Sequence, residues 1–157
     1  MMTIRKLFLL LALLLPHSLL AQNEPTGFAA EKGKLPVPIT GQYKLIKPFG
    51  TNVVGGIELG SKGVYVRGKS GCQARAVYGG KVAAVYEFDT GYCVVLRHGS
   101  YLTVYARLED VSVKQGHTVK PLANLGKVAR DASGERVLHF QVRQEREALN
   151  PSLWVQW

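Results

Sequence analysis

The sequence predicts an all-β fold, a sandwich or barrel of short strands. Two observations carry that prediction. Glycine recurs at turn-like intervals from Gly50 to Gly134, and between the glycines stand short runs rich in Val, Tyr and Leu: GVYVR, ARAVY, KVAAVYEF, YCVVLRH, YLTVYARL, VSVK and RVLHFQVR. Beyond the first two dozen residues, helical periodicity is weak.

The chain opens MMTIRKLFLLLALLLPHSLLAQ. Arg5 and Lys6 precede a leucine-rich stretch from Leu7 to Leu15, and the small residue Ala21 closes it. That order is the pattern of a secretory signal peptide over residues 1–21. The apolar core is short and broken by Pro16, which disfavours a spanning helix, so no stable membrane span is expected once the signal is removed. The alternative is a retained membrane anchor. No Cys follows the apolar stretch, so lipoprotein cleavage is not expected. The expected location is therefore exported, in the periplasm or outside the cell.

Residues 22–42, QNEPTGFAAEKGKLPVPITGQ, are rich in Pro, Gly and charge and read as an extended arm. Residues 43–157 form the expected domain, long enough for a real core. In RQEREALNP, residues 143–151, one helical turn is expected before Pro151. The tail LWVQW is expected to pack its two tryptophans onto the core.

Removing residues 1–21 takes away Arg5 and Lys6 and no acidic residue, lowering the net charge from +9 to +7. In an exported protein this favours anionic surfaces such as cell-wall polymer, lipid or acidic partners over nucleic acid. Cys72 and Cys93 can pair as one disulfide in an oxidising compartment, or stand as two buried apolar thiols. Neither lies in a C-x-x-C pair, so zinc-ribbon and thioredoxin chemistry have no support.

Several phrases then fall in order: GGIELGSKG (55–63), GCQARAVYGGKVAAV (71–85), GYCVVLRHG (91–99), YLTVYARLEDVSVKQGHTVKPLANLGKV (101–128) and LHFQVRQEREALNPSLWV (138–155). Together they resemble the LytM, or lysostaphin-type, zinc metallopeptidase domain, from about Pro48 to Val155. The resemblance implies a mostly antiparallel β-structure of that type, with its duplicated hybrid motif, around a groove. Active members of the family cut peptide cross-links of bacterial cell wall. They carry H-x-G-x-D early, a Tyr-x-His in the middle and H-x-H late. The first His, the Asp and the last His hold zinc, while the other two assist the attacking water and the oxyanion.

Carried onto this chain, the early motif falls on Val54-Gly55-Gly56-Ile57-Glu58, with valine in place of the first ligand and glutamate in place of the aspartate. The middle motif falls on Tyr105-Ala106-Arg107, with arginine in place of the assisting histidine. The late motif falls on Val137-Leu138-His139. Only His139 is unchanged, and Gln141 stands where a glutamate is usual. The degenerate metal positions are Val54, Glu58 and His139, and the degenerate catalytic positions are Arg107 and Val137.

A catalytic zinc site takes three protein donors and a water, and valine has no lone pair. Arg107 stays protonated and cannot act as a general base. Its natural partner across the old groove is Glu58. His98, in LRHGS, and His117, in KQGHTVK, read as strand-end and loop residues rather than replacement ligands. No cofactor is expected, and no catalytic residue.

The resemblance thus implies a catalytically inactive domain that binds in the cell envelope through Glu58, Arg107, His139 and Gln141. Its partners would be peptidoglycan or an envelope protein such as a cell-wall amidase. The alternative is an active zinc-dependent peptidoglycan endopeptidase with a rearranged metal site. VSVKQGHTVKPLANLGKV also resembles the hairpin of biotinyl carrier domains, but no lysine stands in a Met-Lys-Met context.

Overall fold

A computed structural model of the chain describes residues 27–88 and 91–157, and at Asn52, Val54, Glu58 and Leu59 it describes the backbone alone. The expected signal peptide, residues 1–21, lies outside the described residues.

Twelve strands follow in order: β1 (Tyr43–Lys47), β2 (Gly50–Val54), β3 (Ile57–Ser61), β4 (Val64–Gly68), β5 (Gln73–Arg75), β6 (Gly80–Phe88), β7 (Gly91–His98), β8 (Tyr101–Leu108), β9 (Thr118–Val119), β10 (Asn124–Lys127), β11 (Arg136–Gln144) and β12 (Glu147–Leu149). Eight of them form one sheet in the order β1-β4-β11-β8-β7-β6-β9, with β12 folded back on β11. All of the pairings between these strands are antiparallel. Strands β5 and β10 form a second small sheet, and β2 and β3 a separate hairpin. The all-β, mostly antiparallel architecture expected from the sequence is the one observed.

Alternation sets the two faces of the large sheet. On β11, Leu138, Phe140 and Val142 are fully buried on one face, and Val137, His139, Gln141 and Arg143 take the other. On β4, Val64 and Val66 point with the first set and Tyr65 with the second. On β7, Val94 and Leu96 are core, whereas Cys93 and Val95 line the opposite face. The first face packs against Ala74, Leu125 and Val128 at and beside the small sheet. Tyr105 reaches through this core and accepts a 3.0 Å hydrogen bond from the Val77 amide.

One expectation is corrected, the helical turn at 143–151, and two readings that the sequence left open are decided. The arm packs along the domain. Its described part, 27–42, places Phe28, Leu35, Val37 and Ile39 in the core, and Leu35 bridges Val155 while Ile39 bridges Ala74. The Pro-rich composition kept these residues out of helix, but their apolar side chains still found cover. Residues 143–151 hold no helical turn before Pro151. Strand β11 runs to Gln144, turns at Glu145 with φ 49°, and returns as β12, pairing Val142 with Leu149. A short 3-10 turn then spans Pro151–Leu153, capped by Asn150, whose Oδ1 accepts from the Ser152 amide at 3.0 Å. Of the two readings of Cys72 and Cys93, the structure has the free, buried thiols. Cys72 sits in the core and Cys93 on the far face of β7, so the sheet stands between the two sulfurs.

The tail behaves as expected. Trp154 is buried, and Trp157 packs partly buried against the core.

Candidate functional site

The face of the sheet opposite the core floors a groove of about 510 Å³. His139 lies at its base, its backbone paired with Tyr65 on β4 and Ala106 on β8. The Tyr65 and His139 rings meet with centroids 4.5 Å apart. Two cations approach the same tyrosine: the Arg107 guanidinium lies 5.0 Å from the ring centroid and the Lys47 ammonium 5.2 Å.

Arg107 arrives there by a local irregularity. Cys93 of β7 pairs with Ala106 and Tyr92 pairs with Leu108, leaving Arg107 as the extra residue of a β-bulge. Its φ is +69°, a left-handed conformation costing a non-glycine residue about 1–2 kcal/mol. Across the bulge stands Gly91, where an added Cβ would come within 2.8 Å of the Leu108 carbonyl oxygen. The bulge therefore needs a bare backbone opposite it, and it turns the arginine out of the β8 alternation to the groove.

Gln141 fixes the histidine. The Arg143 guanidinium donates to Gln141 Oε1 at 3.0 Å, so the amide NH₂ of Gln141 is left to donate to His139 Nε2, also at 3.0 Å. The histidine proton then resides on Nδ1, which is buried with no partner. Burial first, then the positive Arg107 and Lys47, push the His139 pKa down to about 4.

This shift makes stability depend on pH. The unfolded chain takes up its histidine proton near the ordinary value of 6.5, the folded chain only near 4, so between them the unfolded state holds more protons. Stability is expected to rise with pH across that window and to fall on acidification through it. Burial of His98, which lowers its pKa, acts in the same direction. Urea denaturation at several pH values between 4 and 7 checks the slope. In the variant Arg107→Gly the His139 pKa should move up, read from its imidazole signals by NMR.

The family's zinc does not fit the residues described. His139 has one nitrogen engaged by Gln141 and the other buried. Val137, two residues before it on the same face, is 2% exposed and apolar. Among the described residues the charges that act on it, Arg107 and Lys47, are positive and oppose a dication. Among the described residues no three of His, Cys, Asp and Glu come together.

Of the residues singled out from sequence, the fold brings His139, Gln141 and Arg107 to one groove. Val54 and Glu58 lie on the β2–β3 hairpin, which turns at Gly55 and Gly56 with φ 58° and 80°. Their side chains, and so the expected Arg107–Glu58 pair, lie outside the described residues; the contact described for Arg107 is with Tyr65. His98 is buried on the core side, bonded to the Gly79 carbonyl and to Thr103 Oγ1, each at 2.8 Å. His117 sits in an exposed turn. Sequence reasoning missed Tyr65, Lys47 and Arg143. Tyr65 was legible in principle, since a residue between two core valines must face away from them.

Residues 60–151, more than half of the chain, match the sequence profile of peptidase family M23. The chain is 31% identical over 140 residues to an uncharacterized protein of Neisseria meningitidis serogroup B, covering 88% of this chain and 23% of that one. It is 27% identical over 134 residues to the murein hydrolase activator EnvC of Escherichia coli K12, covering 82% and 30%. The chain thus spans about a quarter to a third of the length of these relatives. Its fold is similar to a chain of the SpoIIQ–SpoIIIAH pore-forming complex, with a TM-score of 0.69 at 23% identity over 80% of this chain and 92% of that one. With a groove of this build, this fold and this profile match, the chain belongs to peptidase family M23.

Proposed function

We propose that this M23 domain works in the cell envelope by binding rather than by cleavage, and that it does so without zinc. The observation that carries the reading is the state of His139: one imidazole, locked by Gln141 and flanked by two cations, at the place where the family holds its metal. Two protein donors at most remain, His139 and Glu58, against the three that a catalytic zinc takes. Without a metal nothing at the groove base lowers the pKa of a water to make a nucleophile near neutral pH.

The relatives support the binding side of the proposal. One is a murein hydrolase activator, and a structural neighbour is part of a two-protein complex. The partner we propose is an envelope protein, such as a cell-wall amidase, with peptidoglycan as the other ligand in reach. The apolar N-terminal stretch supports export, and the net positive charge suits an anionic partner.

Elemental analysis of the purified chain is expected to find no stoichiometric zinc. Incubation with purified cell wall is expected to release no peptide. Cleavage that a chelator abolishes would overturn the proposal in favour of a rearranged endopeptidase.

A further inference from the structure

The groove has a charge and a rim that the loss of catalysis does not explain. We propose that it receives an extended acidic peptide segment of a partner protein, with a carboxylate of that segment held by Arg107 and Lys47 beside Tyr65. This rests on the binding reading above and specifies its ligand.

Three independent features point there. The first is charge. Lys62, Arg107 and Arg143 line the groove and Lys47 adjoins it through Tyr65, while no acidic side chain appears among its described lining residues. Among the described acids, Asp131 feels the charge of Arg107. Its carboxylate is committed to Ser133 Oγ at 2.6 Å and to the amides of Ser133 and Glu135. Among the described residues no carboxylate pairs with Arg107; a guanidinium so placed is a ready receptor for one from outside, and its paired, planar geometry favours a carboxylate over a neutral group.

The second feature is strain. The bulge holds Arg107 in a backbone conformation that glycine would adopt freely, yet the residue is arginine and its side chain is exposed in the groove. Strain retained at a cleft, where a less strained residue would serve the fold, points to a role for the side chain.

The third feature is the rim. Strand β9 pairs only with Gly80 and Lys81 of β6, so the outer edge of β6 from Ala84 to Phe88 has no strand partner among the described residues. On the groove side of that edge Tyr86 is 46% and Phe88 70% exposed. An open edge offers main-chain donors and acceptors to an added strand, whose alternate side chains would fall into the groove. Two exposed aromatics beside it suit large apolar side chains of a protein segment. That favours a protein over the wall as the source of the carboxylate.

The test is a selection of short random linear peptides displayed on phage against the purified chain, followed by fluorescence anisotropy on the selected sequences. The expected winners carry Asp or Glu with an apolar residue nearby. They should lose affinity about tenfold when the acid is changed to its amide, and should bind more weakly as salt is raised. Arg107→Gly should lose about the same factor while keeping its thermal stability or gaining slightly, because glycine relieves the bulge. That retained stability separates a lost contact from a damaged fold. Phe88→Ser should weaken the same peptides and leave stability unchanged.

A selection with no acidic bias, no peptide at all, or binding that ignores Arg107→Gly would overturn the inference. So would binding of soluble wall fragments alone in a parallel measurement, which would assign the groove to peptidoglycan. Zinc-dependent cleavage would instead sink the binding reading itself, whatever the peptides show.

Discussion

Phe28→Ala is expected to destabilise the domain by about 3–5 kcal/mol, the range for emptying a buried aromatic site. The residue lies in the segment that composition marks as an extended arm, and its ring is only 3% exposed. It stacks on His98 with centroids 4.8 Å apart and planes within 8°, and on Trp154 at 5.0 Å. Tyr101 and Tyr78 close the other sides at 5.1 and 5.7 Å. The neighbours are held by three parts of the chain, Tyr78, the β7–β8 hairpin that carries His98 and Tyr101, and Trp154, so none can move freely to fill the space. The alanine variant therefore leaves a cavity lined by four aromatic rings. Against a total stability of about 5–15 kcal/mol for a domain, the loss should appear as a large drop in both the urea midpoint and Tm. Phe28→Leu should lose clearly less. A change under about 1 kcal/mol for alanine would mean that the segment is not part of the cooperative unit. The groove lies on the other face of the sheet, so peptide binding by the folded variant should stay as it was.

Replacing Val54, Arg107 and Val137 together by histidine is expected to raise zinc affinity by at least about a hundredfold. The largest single share should come from Val54→His, which restores the missing donor of the metal set that the motif assigns to Val54, Glu58 and His139. Val137→His adds an imidazole beside His139, since residues two apart on a strand share a face and lie about 6.6 Å apart. Removing Arg107 acts electrostatically as well, taking away one of the two cations that hold the His139 pKa low and that oppose a dication. The nitrogen added at position 54 replaces a water in the metal's shell and completes, with Glu58 and His139, the three protein donors of the usual catalytic set. Competition against a chromophoric chelator gives the affinity. An unchanged affinity would show that these positions do not converge, and the assignment of the degenerate motif would be wrong. Gln141 also marks a boundary, since it engages His139 Nε2 at 3.0 Å. If the triple variant gains less than expected, adding Gln141→Ala should release that nitrogen.

Much of this architecture was readable from residues. The two faces of β11 follow from the alternation in RVLHFQV, where Leu138, Phe140 and Val142 are apolar and their neighbours mixed. The same alternation in GVYVR puts Tyr65 across from Val64 and Val66. The degeneracy of the site was readable for a simple reason: side-chain chemistry is a property of the residue, and valine donates to a metal in no fold. The helical turn expected at 143–151 failed because local composition was outweighed by pairing along β11. There the ladder from Val142 to Gln144 found partners in Glu147–Leu149.

What the sequence determined alone was the class of fold, the order of its strands' apolar and polar faces, and the loss of the histidines that family chemistry needs. These depend on period and on residue type, which are local. Only the tertiary structure decided that Phe28, Leu35 and Ile39 belong to the core, that Cys72 and Cys93 stand on opposite faces of one sheet, and that Arg107 turns out of its strand onto Tyr65 with Lys47 beside it. Each of these is set by the register between strands distant in sequence. A one-residue mismatch between β7 and β8 is enough to move an arginine from one environment to another.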